Sequence, residues 1–200
     1  MQGIKQLEQE TFWQIYDGRL KEDFPESEIR RRENFQRLWD LGCYEVLGYY
    51  DEDTLTGYAF YITLKDMKVV FGDYIAVHKT KRGNGSGSDF QNEVLKYFSS
   101  YDYLVFEVED PEYAIDEADW QLRKRRITFY ERLGAYNCKI STMVLGDNYQ
   151  IFAFSTTGNG QEKSMDKKKE TMDWYEIIKK IYELTFPNQE TWKQIEIIRR

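Results

Sequence analysis

From Lys68 to Val77 the chain is an extended apolar run, and three glycines within five residues follow it, Gly83, Gly85 and Gly87. Beyond them Phe90, Val94, Tyr97 and Phe98 recur at i, i+4, i+7 and i+8, the spacing of one helix face. Strand, glycine loop, helix is a demanding arrangement. The first turn of a helix carries amide groups with no carbonyl partner, and its dipole favours negative charge. Glycines there let oxygens approach the main chain, where side chains would block the approach or forbid the φ values. Phosphate is the natural occupant. A glycine-rich turn that binds nothing is the competing reading.

Spacing narrows the kind of phosphate. A P-loop closes on Gly-Lys-Ser/Thr, whereas this loop closes on Ser86-Gly87-Ser88-Asp89 and offers no lysine for a γ-phosphate. The dinucleotide fingerprint G-x-G-x-x-G fails as well, because the third glycine stands two residues after the second and the unit lies mid-chain.

The rest of the 200 residues, 41% hydrophobic and 32% charged, suffices for one well-packed core, with one domain as the default. A formal net charge of −7 argues against DNA or RNA as a partner, since such affinity comes from neutralising phosphates. No run approaches the ~18 apolar residues of a spanning helix, and Met1 to Gln6 has no apolar leader core, so a cytoplasmic chain without a membrane partner is expected. Cys43 and Cys138 lie in apolar, strand-like segments without CxxC or Cys/His spacing and read as reduced core residues. His78 is the only histidine. That leaves no spare histidine for a Ser/His/Asp triad and no multi-histidine metal site, and no metal is expected.

Periodicity gives the order of elements. A strand near Ile4 to Leu7 precedes a helix from Phe12 to Leu20, and Ile29, Phe35, Leu38 and Trp39 mark a second helix that ends at Leu41-Gly42. Tyr44 to Tyr50 and Gly57 to Leu64 form a hairpin about Asp51 to Thr54. After the glycine loop and its helix come a strand from Tyr103 to Val108 and an acidic stretch from Glu107 to Asp119. A helix through Ala118, Leu122, Phe129 and Leu133 then stops at Gly134. Strands from Tyr136 to Leu145 and Tyr149 to Phe154 turn at Gly146-Asp147-Asn148, and Thr156 to Lys169 is a polar loop. Met172 to Leu184 and Trp192 to Ile198 read as helical. The pattern predicts an α+β (or α/β) chain with a mixed sheet covered by helices.

The loop also fits Arg/Gln, any, any, Gly, any, Gly/Ala, met by Arg82, Gly85 and Gly87. In this the chain resembles the GNAT superfamily of N-acetyltransferases, and the likeness extends to Asp73-Tyr74-Ile75-Ala76-Val77-His78, similar to the family's fourth strand. It extends also to Phe129-Tyr130-Glu131-Arg132-Leu133-Gly134-Ala135, similar to its late helix and following turn. It covers roughly residues 3 to 155. It implies a mixed, mostly antiparallel central sheet flanked by helices over residues 1–157, with 158–200 as a polar loop and a C-terminal helical extension packed on it. It further implies transfer of an acetyl group from acetyl-CoA, as co-substrate, to a primary amine by direct attack in a ternary complex, with a homodimer as an allowed assembly.

What the resemblance implies can be assigned residue by residue. The pyrophosphate would lie on the amides of Lys81, Arg82, Gly83, Asn84, Gly85, Ser86, Gly87 and Ser88, with Lys81 and Arg82 adding charge. The backbone of Ile75, Ala76 and Val77 would pair with the pantetheine arm, and the Val77 N–H would polarise the thioester carbonyl in an oxyanion-hole role. Tyr130 matches the tyrosine that serves as general acid toward the CoA thiolate in many GNATs, and a packed aromatic is its bland reading. For the amine's proton Asp73, Glu107 and Glu109 are the carboxylates whose strand parity would turn one toward the sheet's central gap, with water as an equal candidate. His78 stands where the family often has a histidine that simply ends the strand.

The acceptor is less legible. Seven carboxylates without a basic residue between Glu107 and Asp119 would draw a cationic amine, or form a solvated acidic loop. Arg123-Lys124-Arg125-Arg126 would meet the 3′-phosphate of CoA, or only balance that loop. A non-catalytic acyl-CoA sensor, or an interaction module acting through Met172 to Arg200, is the reading from another class.

Overall fold

The computed structural model describes residues 2–81, 85–156 and 172–200. The chain divides into two units, Met1–Leu64 with Phe71–Tyr97, and Lys65–Val70 with Phe98–Arg200. The expected Arg82, Gly83 and Asn84 positions, and the polar loop expected from Thr156 to Lys169 apart from Thr156 itself, lie outside the described residues.

In the first unit β1 (Gln2–Gln6), β2 (Tyr44–Asp51), β3 (Thr54–Leu64) and, from Phe71 on, β4 (Val69–Val77) lie in the order β1-β2-β3-β4. The β1/β2 and β2/β3 pairs are antiparallel, with Leu47 opposite Ala59 and a bulge at Tyr49/Tyr50. Alternation at a period of two sends Tyr44 and Phe60 to one face, where α1 (Gln9–Asp17) and α3 (Arg32–Asp40) cover them. Phe12 stands 5.0 Å from Phe60 and 5.3 Å from Phe35, and Phe35 stands 5.6 Å from Tyr44. On the opposite face α4 (Ser86–Tyr97) lays Phe90 against Tyr49, centroids 4.8 Å apart and planes 14° from parallel. Gly57 permits that seat: a Cβ there would stand 3.0 Å from the Ala76 carbonyl oxygen and 3.3 Å from the Phe90 ring. The single helix expected from Phe12 to Leu20 is broken at Gly18, and α2 (Arg19–Asp23) follows.

The second unit holds β5 (Tyr103–Glu109), β6 (Tyr136–Val144), β7 (Asp147–Ser155) and β8 (Ile195–Arg199) in the order β5-β7-β6-β8, every pair antiparallel. Phe106, Phe152 and Phe154 share the face covered by α5 (Glu117–Arg132). The other face takes α6 (Trp174–Thr185), whose Trp174 lies 5.1 Å from Tyr103 and 6.2 Å from Tyr136. Ile177, Ile178, Ile181 and Tyr182 of this helix are buried. The α+β class, with mixed, mostly antiparallel strands flanked by helices, is as the sequence indicates. Trp192–Ile198 is a correction. Only Gln189–Trp192 (α7) is helical, and Ile195–Arg199 is a strand that pairs Ile197 with Thr142. Cys43 is a smaller one: it is half-buried, while Cys138 is buried. No described helix is long and apolar enough to cross a membrane.

Candidate functional site

The first unit carries Gly85, the start of α4 and the end of β4. Gly85 takes φ +83°, a left-handed value that a β-carbon would strain. Its carbonyl accepts from the amides of Ser88 (2.9 Å) and Asp89 (3.1 Å), which winds the first turn of α4 directly behind the glycine. The amides of Ser86 and Gly87 therefore open the helix, at its positive end. Lys81 departs from the expectation of a cation held for the loop: its Nζ donates to Asp51 at 2.9 Å, beside the β2–β3 turn.

At the end of β4 Ala76 is buried and Ile75 and Val77 are half-buried, and the His78 amide donates to the Thr56 carbonyl at 2.8 Å. The His78 ring is exposed and its Nδ1 lies 2.8 Å from Thr80 Oγ1, a local contact that suits a strand-ending role. Asp73 is engaged by Arg30, ahead of α3, and by Tyr44 of β2. Its carboxylate, 2% exposed, is ion-paired with Arg30 and accepts from the Tyr44 hydroxyl at 2.9 Å. Tyr74 extends the cluster, donating to the Glu28 carbonyl at 2.6 Å and accepting from the Arg30 amide at 3.2 Å. Burial acts to lower the Arg30 pKa, and the charge and hydrogen bond of Asp73 together with Tyr74 and Tyr44 outweigh it, so the guanidinium is held charged. Burial, and next the Asp73 charge, push the Tyr44 phenol up. A carboxylate so committed is poorly placed to take a proton from an amine.

In the second unit Tyr130 lies on α5 with its ring 4.5 Å from Phe106 and 6.4 Å from Phe154. Burial raises its phenol pKa, and the Arg126 charge opposes this. Arg123, seven residues earlier, shares the same helix face. Arg123 Nη1 donates to the Asp110 carbonyl at 3.0 Å, and Arg126 pairs with Glu109. So positions 123, 126 and 130 of α5 meet positions 110, 109 and 106 at the end of β5.

Glu107 is turned beneath α6, where its carboxylate accepts from Tyr182 and, at 3.2 Å, from Thr142. Burial, then Glu107, push the Tyr182 phenol well up. The basic run keeps the balancing role, at least through Arg123, which pairs with Asp119 at 2.9 Å, and Arg126. Among the described residues no group of three or more His, Cys, Asp and Glu is arranged to hold a metal.

No protein-family model and no curated protein matches the sequence. Solved structures do match in fold. A GNAT-family protein from Bacteroides thetaiotaomicron superposes with TM-score 0.63 at 18% identity, over 93% of this chain and 99% of its own. The chain has the GNAT fold. The ribosomal-protein-S18-alanine N-acetyltransferase of Escherichia coli is similar at TM-score 0.57 and 17% identity, over 80% and 97% of the two chains. A Bacillus subtilis acetyltransferase solved in complex with CoA gives 0.56 at 13% identity, over 78% and 99%. Within this GNAT fold the groups that sequence reasoning missed are Arg30, Tyr44, Tyr182 and Arg200, each of which commits a carboxylate. Nothing local marks them, because their partners stand 29 to 90 residues away.

Proposed function

We propose that the chain transfers an acetyl group from acetyl-CoA to a primary amine, by direct attack of the amine on the thioester. The observation that carries this reading is Gly85, in a left-handed conformation at the opening of α4, on a chain with the GNAT fold. The amides from Gly85 to Ser88, together with Arg82 to Asn84, receive the pyrophosphate. Main-chain groups of Ile75, Ala76 and Val77 take the pantetheine arm, with Val77 toward the thioester carbonyl. Tyr130 gives its proton to the departing thiolate. For the amine's own proton the commitments of Asp73 to Arg30 and of Glu107 to Tyr182 favour water over either carboxylate. The acceptor is a small amine, and the relative solved with CoA supports the donor.

The test is release of CoA thiol from acetyl-CoA in the presence of polyamines, amino acids, aminoglycosides and peptides. Amine-dependent release from at least one class is expected, and Gly85→Ala should raise the KM for acetyl-CoA. If CoA stabilises the protein against heat while no amine gives turnover, the chain is a sensor and not an enzyme.

A further inference from the structure

Asp110 is engaged through both of its carboxylate oxygens. It is fully buried, and its Oδ1 accepts from Gln150 Nε2 at 2.8 Å and from the Glu112 amide at 3.1 Å. Its Oδ2 is paired with Arg200, just past β8, whose own amide donates to the Lys139 carbonyl at 2.8 Å. Its main chain is fixed as well, the amide donating to Asn148 O at 2.8 Å and the carbonyl accepting from Arg123. A buried carboxylate needs a charged partner, and among the described residues Arg200 is the cation on this one, since Arg123 reaches only the carbonyl.

Arg123 shares its helix face with Tyr130, so whatever fixes Asp110 also fixes how that face meets β5. We propose that Arg200, through the buried carboxylate of Asp110, is a positioning residue that holds the Tyr130 face of α5 against the end of β5, a role that rests on the acetyl-transfer reading above. Without Arg200 the buried Asp110 side chain loses its charged anchor. That loss loosens the carbonyl that Arg123 grips, and the Tyr130 ring shifts on Phe106. The segment from α6 to β8 is then part of the catalytic apparatus, by way of one arginine.

Two readouts separate positioning from general stability. In kinetics on the full chain, Arg200→Gln should lower kcat by about 10- to 100-fold while the KM for acetyl-CoA stays within about twofold, and it should add no further loss in a Tyr130→Phe background. In carbon NMR of ring-labelled tyrosine, the Tyr130 phenol should titrate above the ordinary tyrosine range in the wild type and return toward it in Arg200→Gln. Asp110→Asn removes the buried charge that Arg200 answers; it should fold and reproduce the kinetic loss even if Arg200→Gln does not fold. Losses that multiply in the double variant, or a Tyr130 titration unmoved in both single variants, would overturn the proposal. A wild-type rate in Tyr130→Phe would instead remove the acid role, and the NMR titration would still decide whether Arg200 places the ring.

Discussion

A phenol that is to reprotonate a thiolate must hold its own proton until the transfer, and the surroundings of Tyr130 favour that state. Burial against Phe106 and Phe154 raises its pKa over the opposing charge of Arg126. The sign follows: the donor form persists as pH rises through about 10, the ordinary phenol value, and any loss of rate from its ionisation begins above it. Tyr130→Phe should lower kcat by about 10²-fold with a smaller change in KM, measured by thiol release across pH. That Tyr130 lies on a helix is legible, because Ala118, Leu122, Phe129 and Leu133 mark a helix that stops at Gly134. The fate of Asp73 is not. Strand parity made it a candidate base, while its partner Arg30 lies 43 residues earlier on another element. Removing one side of that buried pair leaves an uncompensated charge. Arg30→Met should therefore cost about 3–5 kcal/mol in urea denaturation, and pairing it with Asp73→Leu should recover much of the loss.

Elements were read well where a single period ran long enough. The β2–β3 hairpin, β4 and α4 fall where spacing placed them, and the Gly134 amide closes α5 on the Glu131 carbonyl at 2.9 Å. The segment at 195–199 misled because Ile195, Glu196, Ile197 and Ile198 fit a short strand and a helix turn about equally. Pairing with β6 decided it, and that pairing is not local. The seat of α4 on β3 depends on Gly57. Gly57→Ala would press a methyl on the Ala76 carbonyl, which is main chain and yields little, so a loss of about 1–3 kcal/mol is expected, together with weaker CoA binding by calorimetry. The N-terminal turn of α5 offers a pH test. The hydrogen bond from Arg123 holds the Asp119 carboxyl below its usual range. A depressed pKa stabilises the fold above the ordinary value near 4, and that contribution is lost as pH falls through the lower folded one. The stability gap between wild type and Asp119→Asn should accordingly narrow on acidification from pH 5 to 2, followed by thermal melts.

Across the whole molecule the open question is what the carboxylates between Glu107 and Asp119 are for, given a net charge of −7. In sequence they form an acidic run that would attract cations. In the structure Glu107 is held by Tyr182, Glu109 by Arg126, Asp110 by Arg200, Glu117 by Gln121 and Asp119 by Arg123, while Asp116 caps α5 through the Asp119 amide at 2.8 Å. Two of these partners stand 75 and 90 residues along the chain, beyond the reach of any spacing rule. A run in which arginines answer Glu109, Asp110 and Asp119 spends much of its charge on its own turn, which weakens the field it can offer a substrate. Neutralising Asp116, Glu117 and Asp119 together should therefore act on stability. Loss of the Asp116 cap amounts to roughly 1 kcal/mol, a fall of about 2–4 °C in Tm by calorimetry, and loss of the ion pair acts in the same direction. The acceptor KM and its dependence on salt should match the wild type. A KM that climbs with salt in the wild type but not in the triple variant would return the acidic run to the acceptor site and make the substrate a cation.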